Sequence, residues 1–192
     1  MTNVTQANFG LLIAYLLPGA CVLVALAEFS PIVRAWLLDS SPSGTTVGGF
    51  LYATLASVGA GLTLSTLRWL ILDTIHHHTG VELPNWNFGA LQVNFDAFEG
   101  AVENHYRYYQ FYGNTLLAML AAVASHWLWA ERGLGYVDLV LVLLMPLYFL
   151  GSRDALKKYY ARSKDILQRQ SSNWRRIHDK RMASKEARDE RF

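Results

Sequence analysis

Asp73, His76 and His77 stand at i, i+3 and i+4. On a helix that spacing sets one carboxylate and two imidazoles on a single face. Further along come Glu99, Glu103 and His105. If the two segments pair, six side chains of ligand type converge. Imidazole and carboxylate donors suit Zn or Fe, given three or four ligands and an open coordination position. The same residues also argue against a metal. No H-x-x-x-H or H-E-x-x-H spacing occurs. Each residue step turns a helix by about 100°, so His78 cannot share a centre with both neighbours. Histidines in the last turn of a helix are favoured there by the dipole alone. No cofactor is therefore predicted, and a Zn or Fe site on Asp73, His76, His77, Glu99, Glu103 and His105 is the alternative. There is no phosphate loop, no G-x-G-x-x-G and no G-x-S-x-G,. The one cysteine, Cys21, lies in an apolar run, where a thiolate nucleophile is disfavoured,. No catalytic residue is assigned.

The elements that must position these groups read as apolar spans. Residues 9–29 carry no charge until Glu28 and meet the length of about 20 residues that a bilayer requires,. Pro18 sits mid-span and predicts a kink. Pro31, Pro42, Gly44 and a serine-threonine run make turn chemistry, with Trp36 at the interface,. Residues 47–72 are the second span. Gly49, Ala53, Ser57, Gly61 and Ser65 recur at i+4 along it, a face suited to close helix packing within one chain or between chains,. Arg68 and Trp69 read as an interfacial anchor, with Arg68 snorkelling. The helix is expected to stop at Gly80. An amphipathic helix resumes after Ala90, with Asp96, Glu99 and Glu103 on its acidic face,. Residues 111–130 and 134–151 are the third and fourth spans. Trp69, Tyr106, Tyr108, Tyr109, Tyr112, Trp127 and Trp129 are the expected interface belt. Asp138 reads as a helix start stabilised by the dipole, and His126 is within reach of Asp138 or Glu131.

Charge fixes the expected orientation. Residues 1–151 hold four basic and nine acidic groups, and residues 152–192 hold thirteen and six. Basic residues gather on the cytoplasmic side of membrane proteins. The tail, the N-terminus and the 73–110 excursion are then cytoplasmic. The tail is expected on anionic lipid headgroups or docked on the acidic face of the loop. Only its charge suggests nucleic acid, which is not expected.

The fold expected is all-α and integral to a membrane: four transmembrane helices, a cytoplasmic excursion over 73–110, and a basic tail over 152–192. The expected location is a bacterial inner (plasma) membrane. The expected function is a non-catalytic multi-pass protein, an oligomeric scaffold, sensor or channel-like subunit presenting a His/acid/Tyr surface to a cytoplasmic partner, with self-association. The alternatives are a membrane-embedded metalloenzyme and a triggered membrane-disrupting effector of toxin or phage-defence type. On this reading, single changes at His76, His77, Glu99 or Glu103 leave folding nearly intact.

Overall fold

The structure is a computed structural model and describes residues 10, 12–38, 47–86, 91, 92, 94–129 and 135–189, with side chains as far as Leu167 and without those of Leu38 and Trp129. The expected turn at Glu131–Gly133, the Pro42–Gly44 turn, the side chain of Trp129 and the tail side chains from 168 onward lie outside the described residues. Among the described residues every element is helical.

The chain begins with a π-helical turn, Leu12–Leu16, that runs into α1, Leu17–Leu26. Helix α2 is Pro31–Leu38 and α3 is Val47–Arg68. A second π-turn, Trp69–Asp73, carries α3 into the short α4, Thr74–His78. Helix α5, Phe95–Ala101, passes through a third π-turn, Val102–Tyr106, into α6, Arg107–Trp129. The last helix, α7, runs unbroken from Tyr136 to Asp189. No break separates residues 151 and 152.

Helix α6 is the axis of the bundle. Gly113 to Met119 are all buried, and α1, α3 and α7 pack around it. One of its faces is polar and serves the first helix. Pro18 lacks the N–H that a regular helix would direct at the carbonyl of Ala14. Asn114 Nδ2 donates to that oxygen at 2.8 Å, and both residues are wholly buried. Gln110 Nε2 donates to Tyr15 Oη at 2.9 Å, and Ser125 Oγ to the carbonyl of Ala25 at 2.8 Å. Residues 110, 114 and 125 share one helical stripe. The carbonyl that Pro18 leaves without a helical donor thus has a specific partner on α6.

The small-residue face of α3 meets α1 inside the same chain. A Cβ on Gly19 would collide with the backbone of Ser57, and one on Gly61 with the backbone of Tyr15. Ser57 and Gly61 are buried, while Gly49, Ala53 and Ser65 are half-buried. Helix α2 folds back on α3 by stacking Trp36 on Tyr52, centroids 5.8 Å apart. Arg34 Nε donates to the carbonyl of Ala27, just past the end of α1.

Helix α4 stops at Gly80, as its sequence predicts. Gly80 has φ +91, Val81 N–H donates to the carbonyl of His76 at 3.0 Å, and Gly80 N–H to that of His77 at 3.3 Å. This is the paired bonding of a glycine C-cap in the left-handed conformation. Val81 then turns inward and joins a core of Tyr109, Ala155, Leu156 and Tyr159. A separate core of Leu64, Leu72, Leu116, Leu117 and Ala118 fills mid-bundle.

Two helices are long and apolar enough to cross a membrane, Val47–His78 and Tyr136–Leu167, with mean hydropathies of 1.5 and 1.6. The apolar segment Leu12–Leu26 is shorter. Helix α6, expected as the third span, is not one of these two; it carries polar Gln110, Asn114, Thr115 and Ser125, all buried against its neighbours.

Replacing Asn114 by Leu strands the Ala14 carbonyl, and unfolding in detergent is expected to show a loss of about 1–3 kcal/mol. In a Pro18→Ala background the helix regains its own donor, so the same change costs less. Additive losses in the double variant would show that the two residues are not coupled.

Candidate functional site

Arg68 and Asp73 are five residues apart on a stretch otherwise apolar. A regular α-helix does not bring i and i+5 together; the π-turn Trp69–Asp73 widens the helix at that point,. Arg68 Nη1 lies 3.1 Å from Asp73 Oδ1, and the arginine side chain is 3% exposed. Tyr109 Oη donates to the same carboxylate oxygen. The guanidinium carbon stands 4.4 Å from the centre of the Tyr109 ring and 6.0 Å from that of Tyr106. A cation over a desolvated aromatic face is favoured by the ring quadrupole. Gly113 makes the slot. A Cβ there would come within 2.6 Å of Arg68 Cδ and 3.2 Å of Leu72 Cδ1. Arg68 Nε has no hydrogen-bond partner among the described residues.

The three consecutive histidines diverge. His76 points inward and is wholly buried, with Nε2 3.2 Å from Ser152 Oγ and its ring 5.1 Å from that of Phe149. Its Nδ1 has no partner among the described residues. His77 faces α7, with Nε2 3.1 Å from Tyr160 Oη and the two rings nearly parallel at 5°. His78 donates from Nδ1 to the carbonyl of Thr74 on its own helix, at 2.8 Å. Arg153 closes the end of α4 by donating to the hydroxyl and carbonyl of Thr79. Ser152, Arg153 and Tyr160 therefore tie α7 to the end of the α3–α4 helix.

The second half of the expected ligand set lies elsewhere. Glu99 is exposed, and Glu103 and His105 are half-buried along the α5 segment. Among the described residues no three His, Cys, Asp or Glu side chains form a group placed to hold a metal ion. Asp73 is taken up by Arg68 and Tyr109, His76 by Ser152 and His77 by Tyr160. Burial pushes the His105 imidazole below its ordinary value, and Arg162 and then Lys158 push the same way against Asp154. The folded chain thus favours neutral His105. Its contribution to stability is present above the ordinary histidine value and is lost as pH falls through the lowered one.

Several residues occupy places the sequence did not indicate. Arg68 is not a snorkelling anchor; it is buried, because Asp73 and Tyr109 compensate it. Tyr109 is not a belt residue; it is wholly buried. Tyr106 and Tyr112 are half-buried, and Tyr106 packs on Tyr159 at 5.0 Å. Trp69, Tyr108 and Trp127 do face outward. The buried position of His76 also removes the expectation that it can be changed freely. As far as Leu167, the described part of the tail meets the loop through aromatic and aliphatic side chains. Phe98, Val102 and Tyr106 meet Ala155, Leu156 and Tyr159, whereas Asp96 and Glu99 are exposed. Among the described residues no ion pair joins Asp96, Glu99 or Glu103 to α7. At the opposite end, His126 Nδ1 lies 2.6 Å from Asp138 Oδ2, which also accepts the Gly135 N–H at 2.7 Å. Asp138 thereby caps the start of α7 while holding His126. Ser152, Gly113 and Asn114 were not singled out by sequence. The readable signal was an Arg and an Asp of opposite charge inside one apolar stretch.

No family model, no curated protein and no solved structure matches the chain.

Removing one member of the buried pair leaves the other uncompensated. Asp73→Leu is expected to cost about 3–5 kcal/mol in unfolding experiments. Arg68→Met combined with Asp73→Leu removes both charges and is expected to be the more stable variant of the two. A double variant as damaged as the sum of its singles would disprove the coupling.

Proposed function

We propose that the chain is a non-catalytic multi-pass membrane protein acting as a sensor-type subunit. Its four spans are 9–29, 47–72, 111–130 and 134–151. Both termini and the 73–110 excursion are cytoplasmic, in a bacterial inner membrane. The observation that supports this is the inverted polarity of the bundle. Leu51, Leu55, Leu62 and Leu70 on the α3 side, and Leu139, Leu143, Leu147 and Leu150 on α7, are exposed. Arg68, His76, Asn114 and Ser152 are buried. An apolar exterior of this extent around a charged interior is stable where lipid covers the outside. The central helix α6 can be less apolar than its neighbours because they shield it from the bilayer.

The sensor reading rests on continuity. One helix, α7, joins the bundle to the basic tail without interruption. Its residues Ser152 and Tyr160 touch the histidines at the end of α4. A change in the packing of α3 against α6 therefore has a direct path to the tail. The partner is a cytoplasmic protein or anionic headgroups reached by that tail, and the exposed apolar faces of α3 and α7 leave room for self-association. The interior cluster is filled by its own side chains, which favours sensor or scaffold over channel.

Sided cysteine labelling in vesicles tests the spans. In a Cys21→Ser background, Ser43→Cys and Ser172→Cys are expected to react from opposite sides of the membrane. Reaction from the same side would mean that only α3 and α7 cross, and would sink the four-span reading. Hydrogen exchange tests the coupling. Asp73→Asn is expected to speed exchange in residues 152–167 while leaving 17–26 unchanged. Unchanged protection in 152–167 would leave α7 uncoupled from the cluster.

A further inference from the structure

A groove of about 480 Å³ lies between the α5 segment and α7. Its α5 wall is low, made by Ala97, Gly100 and Ala101. A Cβ on Gly100 would meet nothing within 4 Å, so the space above it is open. The remaining wall carries donors: Asn104 and His105 on the third π-turn and Arg162 on α7. Lys158 stands one helical turn before Arg162.

The positive charge here is incompletely neutralised. Lys158 is held by Asp154 at 2.5 Å. Arg162 makes no ion pair among the described residues. Asn104 gives one amide hydrogen to the carbonyl of Gly100, at 2.9 Å, and has a second to offer,. The charged groups that act on His105 come from α7: Arg162 and Lys158 disfavour its protonation and Asp154 favours it. On its own segment the nearest acid in sequence is Glu103, two residues back.

We propose that this groove binds a phosphoryl group, held by the Arg162 guanidinium, the His105 imidazole and the Asn104 amide. A guanidinium offers paired donors that match two phosphoryl oxygens. The imidazole becomes a second charged donor once the anion is present, and the amide supplies a neutral one. The low wall at Gly100 lets the anion approach the backbone. The volume exceeds a bare phosphate and falls within the usual range for small-molecule sites. The ligand therefore carries further atoms along Ala97 and Ile166. Such a group has two sources, a soluble phosphorylated molecule or a lipid headgroup. Arg162 is eleven residues beyond Gly151, roughly 16 Å along the helix. A headgroup layer is only about 5–7 Å deep, so on the four-span reading the soluble source is favoured.

The test follows the His105 titration by NMR in the full chain, with His105→Gln to assign the resonance. In neutral phosphatidylcholine nanodiscs, inorganic pyrophosphate is expected to raise the His105 midpoint by about 0.5 pH or more, because a bound anion stabilises the imidazolium. Phosphatidylglycerol nanodiscs without pyrophosphate form the second arm. A rise in the first arm assigns a soluble ligand, and a rise in the second alone assigns a headgroup. Arg162→Gln removes the exposed guanidinium, and Gly100→Leu fills the groove without changing charge. Each is expected to abolish the rise, measured from that variant's own anion-free midpoint. No rise in either arm, or a rise that survives both substitutions, overturns the proposal. The pyrophosphate arm can be repeated in detergent, so its failure is separable from failure of the topology.

Discussion

One buried cation sets the terms for much of this chain. Moving an unpaired arginine out of water costs far more than any single packing contact returns, so Arg68 demands compensation from several directions at once. Asp73 supplies the opposite charge, 3.1 Å away. Tyr109 supplies a ring face to the guanidinium and a hydroxyl to the carboxylate. Gly113 supplies room, because even one methyl group would meet the arginine stem. These requirements fix local structure. The π-turn at Trp69–Asp73 brings residues five apart together, and Tyr109 and Gly113 lie one turn apart on the same side of α6. Arg68 thereby sets this stretch of α3 against α6 at the level of Tyr109 and Gly113, beside the apolar core of Leu64, Leu72 and Leu116.

The first helix is held by a related need, expressed without charge. Pro18 withdraws a donor, and the carbonyl it leaves behind is buried where water cannot serve it. Asn114 answers from α6. Close backbone contact at Gly19, Ser57 and Gly61 then leaves no room for α1 to slide on α3. Polar bonds to α6 on one side and glycine contact with α3 on the other fix the helix from two directions. Both interactions are short-range and geometric, which suits an environment where apolar association between helices is weak.

The sequence disclosed what depends on local pattern. The helical class, the stop at Gly80, the small-residue face of α3 and the apolar character of α3 and α7 all follow from periodicity or from one residue type. It was less informative about what depends on neighbours in space. Arg68 beside Trp69 has the local pattern of an interfacial anchor; Asp73 nearby in sequence supplies its counter-charge, but the ring of Tyr109 and the room at Gly113 that complete its burial lie some forty residues on. Tyr109 lies in a run of aromatics that reads as a belt, but belt and core tyrosines have the same composition. The three histidines share a sequence and a helix, yet have partners on α7 at 152 and 160 and, for His78, on their own backbone. No single-chain periodicity encodes those partners. The ligand-like cluster dissolved for the same reason. Asp73 and His76 meet specific protein groups from other helices before they could meet Glu99, Glu103 or His105.

The start and the middle of α7 complete the physical picture. Its start is capped by Asp138, which accepts from Gly135 and holds His126 of α6. Midway, Ser152 meets His76 and Tyr160 meets His77. Between these anchors the helix offers apolar side chains outward and little polar contact inward. A helix fixed at separated points and otherwise held by dispersion can rotate or tilt only if one anchor yields. The anchor at the His76–Ser152 end is reinforced by Arg153, which donates to the hydroxyl and carbonyl of Thr79. His76 lies against Tyr109, the same ring that carries Arg68. Tyr109 links the arginine to the His76 anchor, and Tyr106, also beside the guanidinium, packs directly on Tyr159 of α7. The Arg68 cluster thus touches α3, α6 and, through Tyr106 and the histidines, α7.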